Sequence, residues 1–149
     1  MKKMLLIIMS ISILCSCQTQ EELKKAKELD NKNEIKENLD KKNIPETTKE
    51  WIIDSKTEKT LTIICTDKSK KCKEIKNNLK ELEKEIKTYY IEIDNITKEE
   101  KEIYKTTYEL NNYTGYLPYI MLIDNDKLLD TKTDVYKLED LKKIIKKEQ

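Results

Sequence analysis

The sequence predicts an α/β domain in which helices flank a four-stranded mixed sheet. A strand, an amphipathic helix and a second strand follow one another over residues 59–94, and two parallel strands need such a crossover connection. A turn at residues 124–126 separates two further strand-like segments, which indicates an antiparallel hairpin. Residues 138–145 then form a closing amphipathic helix. The predicted order over residues 44–149 is therefore α, β, α, β, α, ββ, α.

The first helix and the first strand open this domain. Pro45 suits a first helical position, and Trp51 and Ile52 lie on the inward face of the helix that follows. Residues 59–65 alternate in the manner of a strand, but they carry apolar side chains on both faces. A strand that is apolar on both faces is typical of the centre of a sheet.

The crossover helix has the clearest periodicity in the chain. We expect it at residues 70–86, with Ser69 as its N-cap. Its apolar residues recur at intervals of three and four positions: Cys72, Ile75, Leu79, Leu82 and Ile86. The alternation of residues 89–94 predicts the second strand, which lies parallel to the first.

The second half of the domain is marked by a cap, a glycine and a turn. Thr97 and Glu100 form a capping box that opens a further helix. The inward residues of this helix are Ile103, Tyr104, Thr107 and Tyr108. Gly115 ends the pattern, residues 119–123 form an apolar strand, and a second strand surrounds residues 127–129. Asp124 and Asp126 are interpreted as turn residues rather than as metal ligands.

The first sixteen residues form a targeting segment in this interpretation. Lys2 and Lys3 precede an apolar run at residues 4–14, which is too short to span a bilayer. The sequence Leu14-Cys15-Ser16-Cys17 resembles the lipobox of bacterial lipoproteins. That resemblance implies cleavage before Cys17, lipidation of its thiol, acylation of the new amino terminus with a fatty acid such as palmitate, and anchoring to a bacterial membrane. Cys15 fits the pattern less well, and a plain secretory signal that ends near Ser16 is the alternative.

Residues 17–43 then comprise the lipidated cysteine and a charged tether. Too few apolar residues occur there to build a core, so the segment is either a solvated helix or disordered. The lipoprotein signal places the mature chain in the cell envelope, outside the cytoplasm, where disulfides persist. Cys65 and Cys72 are the two cysteines that remain, and their even number permits one intramolecular bond.

The domain resembles the thioredoxin-like fold over roughly residues 44–147. The resemblance rests on the order of the elements, on Cys72-Lys73 at the start of the crossover helix, and on Pro118 before the hairpin. It implies a cis peptide bond at Pro118, which would lie against the active-site cysteines. The chain departs from the family motif Cys-x-x-Cys, because Ser69 stands at the position of the first cysteine and Cys65 lies four residues before that serine.

Three interpretations of the cysteines remain open at this point. Cys72, near a helix N-terminus and several lysines, is favoured as a thiolate for thiol–disulfide exchange, with Ser69 as a hydrogen-bond donor. Cys65 is then a resolving partner if the two Cα atoms are close enough. Alternatively, both cysteines are inert core residues. A peroxidatic site of the pattern Ser69-x-x-Cys72 is the third interpretation, but the chain has no arginine and residues 65–68 contain no proline.

Composition excludes several other kinds of site. The chain has no histidine and a single glycine, so His-based triads, His-ligated metals and glycine-rich phosphate loops are excluded. A net charge of +1 implies no nucleic-acid partner, and we expect neither a metal nor a cofactor. The tyrosines near Pro118 form either a peptide groove or part of the core: Tyr104, Tyr108, Tyr113, Tyr116 and Tyr119.

The sequence therefore predicts a membrane-anchored lipoprotein outside the cytoplasm with a thioredoxin-like domain. Its expected catalytic residues are Cys72, Cys65, Ser69 and Pro118, and its expected substrate is a protein or peptide thiol or disulfide. The alternative is a redox-inactive binding or scaffold lipoprotein of the envelope with the same fold.

Overall fold

The computed structural model describes residues 2–40, 44–107 and 116–146. The chain divides into two units, residues 1–42 and residues 43–149. The first unit contains helix α1 (Lys2–Asp40), in which most side chains from Gln20 onward are exposed. Of the two alternatives for the tether, a solvated helix or a disordered segment, the structure shows a solvated helix over the residues that it describes. Within the described ranges, no helix combines the length and the apolar content that a membrane crossing needs.

The second unit is an α/β domain built around one sheet. Its elements in chain order are α2 (Glu46–Thr57), β1 (Lys59–Cys65), α3 (Lys70–Leu82), β2 (Lys87–Glu92), α4 (Lys98–Thr107), β3 (Tyr119–Asp124), β4 (Lys127–Thr133) and α5 (Leu138–Lys146). The strand order is β2-β1-β3-β4, with β1 parallel to β2 and the other neighbours antiparallel. The predicted four-stranded mixed sheet flanked by helices is confirmed.

Strand β1 is central and is buried on both faces, as its sequence predicts. Leu61, Ile63 and Cys65 face a core formed with α3 and α5, and all three side chains are fully buried. The intervening Thr62 faces α2, where its Oγ1 accepts a hydrogen bond of 2.9 Å from the indole N–H of Trp51. Because successive side chains of a strand point to opposite faces, the side chains of β1 pack alternately on the α3 and α5 side and on the α2 side of the sheet.

Helix α3 begins where the sequence predicts and ends earlier. Ser69 is the N-cap, and its Oγ accepts a hydrogen bond of 3.4 Å from the Cys72 N–H. The helix ends at Leu82 rather than at residue 86. The Ile86 N–H still donates to the Leu82 carbonyl across a turn, and its side chain packs against the core. The apolar spacing therefore continues beyond the helix, and the predicted end was wrong.

Two other boundaries differ by small amounts. Pro45 is the N-cap of α2 rather than its first helical residue, because its ψ of 145° is extended. Strand β4 extends to Thr133, beyond the predicted residues 127–129. Asn125 and Asp126 both have positive φ, 48° and 67°, in the two-residue turn between β3 and β4. Paired positive φ values are typical of hairpin turns that match the twist of the strands, so the turn interpretation of this segment is confirmed.

The predicted capping box at the start of α4 is present and extends into a buried network. The Glu100 N–H donates to Thr97 Oγ1 at 3.1 Å, and the Thr97 N–H donates to Glu100 Oε2 at 2.9 Å. The Thr48 hydroxyl of α2 donates to Glu100 Oε1 at 2.8 Å. Burial raises the pKa of the Glu100 carboxyl, but these hydrogen bonds outweigh burial, and the pKa is lowered overall. The carboxylate therefore joins α2 to α4.

We expect Glu100→Gln to lower the free energy of unfolding by about 1 kcal/mol at pH 7, because a charged acceptor is replaced by a neutral one. A carboxyl whose pKa is depressed in the folded state stabilises the fold above its unfolded pKa, and this contribution is lost as the pH falls through the folded pKa. The difference between wild type and variant is therefore expected to shrink below about pH 4. Urea denaturation between pH 7 and pH 3 measures it. Glu99→Gln, an exposed position on the same turn, is the matched control; an equal loss in both variants would contradict the role of the buried network.

Candidate functional site

The candidate site lies where β1 ends and α3 begins. Cys65 is the last residue of β1, and Cys72 lies in the first turn of α3. A disulfide joins them, with a Cα–Cα distance of 5.6 Å, inside the usual range for such bonds. The structure therefore meets the distance condition that the sequence left open for Cys65 as the partner of Cys72.

The disulfide is fully buried inside the domain. Both cysteines have an exposed fraction of 0%, and both belong to the core that α3 and α5 cover. Exchange requires a thiolate to reach a sulfur atom along the axis of the S–S bond. A protein thiol has no access to either sulfur in this conformation, so exchange requires the first turn of α3 or the loop before it to open.

Tyr90 of β2 fixes the backbone beside Cys72. Its hydroxyl donates a hydrogen bond of 3.2 Å to the Cys72 carbonyl. Burial, together with the charge of the nearby Glu92, raises the pKa of Tyr90 to about 12, so the phenol keeps the proton that it donates. Sequence reasoning placed Tyr90 on a strand but missed this contact. The parallel pairing of Ile63 with Tyr90 is the signal that points to it, since it places Tyr90 beside the core face of β1.

Ser69 occupies the position at which the thioredoxin motif has its first cysteine, and the structure gives it a capping contact. Its side chain is half-buried, and its Oγ accepts from the Cys72 N–H. Its carbonyl also accepts from the Lys73 N–H at 3.1 Å. The hydroxyl is therefore held near the disulfide by its role at the start of the helix. Its expected role as a donor to a Cys72 thiolate remains a prediction.

Pro118 directly precedes β3, the strand that pairs with β1 on its antiparallel side. The Leu117–Pro118 peptide bond is cis, which is the geometry that the resemblance implied. The last pair between β1 and β3 is Ile64 with Tyr119, and Cys65 and Pro118 are the residues next to this pair in the sequence. Pro118 is buried, and its carbonyl accepts a hydrogen bond of 3.2 Å from the Asp134 N–H.

Asp134 and Lys71 connect the proline segment to the helix start. Sequence reasoning counted Lys71 among the lysines near Cys72 but missed Asp134 and this contact. The Lys71 ammonium forms an ion pair with Asp134 and lies 5.4 Å from the centre of the Tyr136 ring. The hydrogen bond to Asp134 raises the pKa of Lys71. Asp134 has a φ of 65°, a value that Asp tolerates better than most residues. The start of α3, the segment of Pro118 and the segment after β4 are distant in the sequence, and Asp134 therefore brings them together.

The remaining expected residues lie elsewhere. Cys17 belongs to α1 in the first unit, and its lipidation remains a prediction. Tyr104 and Tyr119 are buried, whereas Tyr116 is largely exposed, so these three do not form one groove. Tyr108 and Tyr113 lie outside the described residues. Across the described ranges, no group of three or more acidic or cysteine side chains has the arrangement to hold a metal ion.

The comparisons with known proteins support the fold. No protein-family model matches the chain, and no curated protein is similar enough in sequence to count as a relative. Among solved structures, thioredoxin from Plasmodium falciparum is 20% identical with a TM-score of 0.51, and thioredoxin from Fasciola hepatica is 16% identical with a TM-score of 0.50. Each match covers 67% of this chain and 89% of the thioredoxin. The domain has the thioredoxin fold. At these identities the likeness establishes the fold alone, and the chemistry depends on the cysteines of this chain.

The thioredoxin-fold site combines a disulfide-forming pair, a cis proline and a capped helix start. Such a pair suggests thiol–disulfide exchange, because its two sulfur atoms can exist as two thiols or as one bond. The same bond also cross-links β1 to α3 over a separation of 7 residues, which restricts the unfolded chain.

Reduction of the disulfide is expected to lower the free energy of unfolding by about 2.5 kcal/mol, the loop-entropy contribution for a cross-link of this length. Urea denaturation of the wild type with and without a phosphine reductant measures the change. The double variant Cys65→Ala/Cys72→Ala provides the control, since reductant has no bond to break in it. A wild type whose stability is the same in both conditions would show that the disulfide does not stabilise the domain.

Proposed function

We propose that this protein is a membrane-anchored lipoprotein outside the cytoplasm whose thioredoxin-fold domain carries out thiol–disulfide exchange through Cys72. The observation that supports the chemical part of this proposal is the Cys65–Cys72 disulfide at the start of α3. The pair replaces the usual Cys-x-x-Cys arrangement, with Cys65 supplying the second sulfur that Ser69 lacks.

The exchange begins from the reduced pair. The helix N-terminus favours the thiolate of Cys72, which attacks one sulfur of a substrate disulfide. The substrate S–S bond breaks, its electron pair leaves with the other sulfur, and a mixed disulfide to Cys72 forms. The deprotonated thiol of Cys65 then attacks Cys72 Sγ, the second substrate thiolate leaves, and the Cys65–Cys72 bond closes. The substrate has gained two electrons and two protons, and the reverse sequence oxidises a dithiol.

Burial determines how this pair reacts. Because both cysteines are fully buried in the bonded state, turnover depends on opening of the first turn of α3. The Ser69 cap, the Tyr90 hydrogen bond and the Lys71–Asp134 ion pair resist that opening. The segment that must move is this first turn or the loop that precedes it, residues 66–69.

The same burial favours a second candidate function. A disulfide that no partner reaches serves as a structural cross-link, and the domain is then a redox-inactive binding or scaffold module of the envelope. Structural disulfides of secreted proteins have this sheltered character. The two candidates differ in one measurable property, which is the reactivity of the thiols in the folded, reduced domain.

The thiol test uses residues 18–149, which retain Cys65 and Cys72 as their only cysteines. Exchange predicts alkylation of Cys72 in the folded, reduced protein and turnover of insulin disulfides. Cys72→Ser is expected to abolish turnover, whereas Cys65→Ser is expected to accumulate a mixed disulfide, because the resolving sulfur is gone. Mass spectrometry of the trapped species distinguishes the two roles. Thiols that react only after denaturation would exclude exchange and favour the scaffold function.

The anchor and the location rest on the first seventeen residues. Two lysines, an apolar run and the sequence Leu14-Cys15-Ser16-Cys17 support lipidation of Cys17. A location outside the cytoplasm follows from this signal, and it is a compartment in which a disulfide persists. Residues 20–40 of α1 are helical and correspond to a length of roughly 30 Å for the proposed tether.

We expect the full chain, expressed in a bacterium, to incorporate labelled palmitate and to sediment with membranes. Cys17→Ser is expected to lose the label completely, because the sulfur that would carry the lipid is absent. Cys15→Ser is the matched control, two positions away in the same segment, and is expected to keep the label. Label that persists in Cys17→Ser but disappears in Cys15→Ser would move the acylation site, and no label in the wild type would contradict the anchor.

A further inference from the structure

A recess lies on the face of the sheet opposite the disulfide. It has a volume of about 220 Å³ and lies at the carboxyl ends of β1 and β2. Ile64 of β1 is paired with Ile91 of β2, and Ile93 follows two residues later, beyond the strand. Ile96, from the loop after β2, completes an aliphatic wall. Ligands of α/β sheets bind preferentially outside the carboxyl ends of their strands. We call this recess the isoleucine pocket.

Helix α4 provides the opposite wall of the isoleucine pocket. Lys101, Tyr104 and Lys105 line it, and their spacing of three and four residues places them on one helical face. The Tyr104 ring lies 4.5 Å from the Trp51 ring, and its hydroxyl is hydrogen-bonded to Thr48 at 3.1 Å. Contacts to α2 therefore hold this wall in place from behind.

The charged residues that line the isoleucine pocket are both basic. They are Lys101 and Lys105, and no acidic residue is among the lining residues that the structure describes. Lys101 forms no ion pair within the part of the chain that the structure describes. Lys105 pairs with Glu102 at 3.1 Å, but both side chains are largely exposed, so this pair exchanges readily with another anion. The part of the pocket formed by Lys101 and Lys105, which we call the rim, therefore suits an anion. The part formed by the isoleucines suits a hydrocarbon.

We propose that the isoleucine pocket binds a small aliphatic monocarboxylate, with its hydrocarbon tail against the isoleucines and its carboxylate beside Lys101 and Lys105. A cavity of about 150 Å³ lined by aliphatic and aromatic side chains is large enough for benzene. A pocket of about 220 Å³ therefore accommodates a tail of roughly eight carbon atoms. The long lysine side chains can cover the tail with their methylene groups while their ammonium groups meet the carboxylate.

The single tryptophan of the chain provides a direct readout. Trp51 packs on the Tyr104 wall, so a ligand in the isoleucine pocket changes the surroundings of that ring pair. The experiment titrates sodium octanoate, at low salt, into the full chain reconstituted in phosphatidylcholine vesicles, and follows the Trp51 fluorescence. We expect a saturable change with octanoate, a weaker one with octanol, and none with octylammonium, which has the same tail and the opposite charge.

Charge reversal at the rim tests the two lysines. Lys101→Glu/Lys105→Glu is expected to weaken octanoate binding about tenfold or more, since two favourable charges become unfavourable. Lys98→Glu is the matched control, because it lies exposed on α4 and does not line the pocket. Circular dichroism establishes that each variant is folded. If the double variant is unfolded, the comparison of octanoate with octylammonium in the wild type still decides the charge preference.

Three results would overturn the proposal. The absence of a saturable change with octanoate would exclude the ligand class. Equal affinity for octanoate and octylammonium would show that the rim does not select an anion. A double variant that is folded and binds octanoate as the wild type does would remove the lysines from the site.

Discussion

The structure depends on a single constraint, which is the burial of β1 on both faces. A strand with apolar side chains on both sides has to lie between two layers of helices, and its neighbours then fill both of its hydrogen-bonding edges. Strand β2 takes the parallel edge and β3 the antiparallel edge. The alternation of side chains places Cys65 in the layer of α3 and α5, and Ile64 in the opposite layer. The two recognisable features of the domain therefore originate from adjacent residues.

The disulfide has two effects that oppose each other. As a cross-link between β1 and α3, it restricts the unfolded chain and stabilises the helix start. As a redox pair, it has to expose a sulfur, and every contact that stabilises the first turn of α3 makes such exposure less frequent. Tyr90, which donates to the Cys72 carbonyl, and Asp134, which joins Lys71 to the segment of Pro118, strengthen the first effect at the expense of the second. The balance between them, rather than the presence of two cysteines, determines whether the site turns over.

Features that depend on local chemistry could be predicted from the sequence. The Ser69 cap, the Thr97–Glu100 capping box and the turn at residues 124–126 follow from residue types at fixed spacing, and each is present. The end of α3 was missed because Ile86 keeps the helical spacing of apolar residues after the backbone has left the helix. The spacing of apolar residues shows which side chains reach the core. It does not show where the helix ends, because a turn can also direct the next apolar side chain into the same core.

The candidate site could be predicted only in part, for a physical reason. A spacing of seven residues is compatible with bonded and with unbonded cysteines, because the path of the intervening loop decides the distance between them. Tyr90 and Asp134 lie 18 and 63 residues from their partners in α3, and no local pattern links positions so far apart. Burial of both sulfur atoms is likewise a property of the assembled layers, since α5 contributes to the core that covers them.

The loop after β2 connects the two faces of the sheet. The Ile93 N–H donates to the Cys65 carbonyl at 2.8 Å, while the Ile93 side chain lines the isoleucine pocket. The Thr66 hydroxyl donates to the adjacent Asp94 carboxylate, and this contact lowers the pKa of Asp94. Opening of the segment that follows Cys65 therefore has to break, or carry along, contacts to residues 93 and 94. The disulfide and the pocket are consequently linked, because the loop before α3, which limits access to the disulfide, is hydrogen-bonded to the loop after β2, which forms a wall of the pocket.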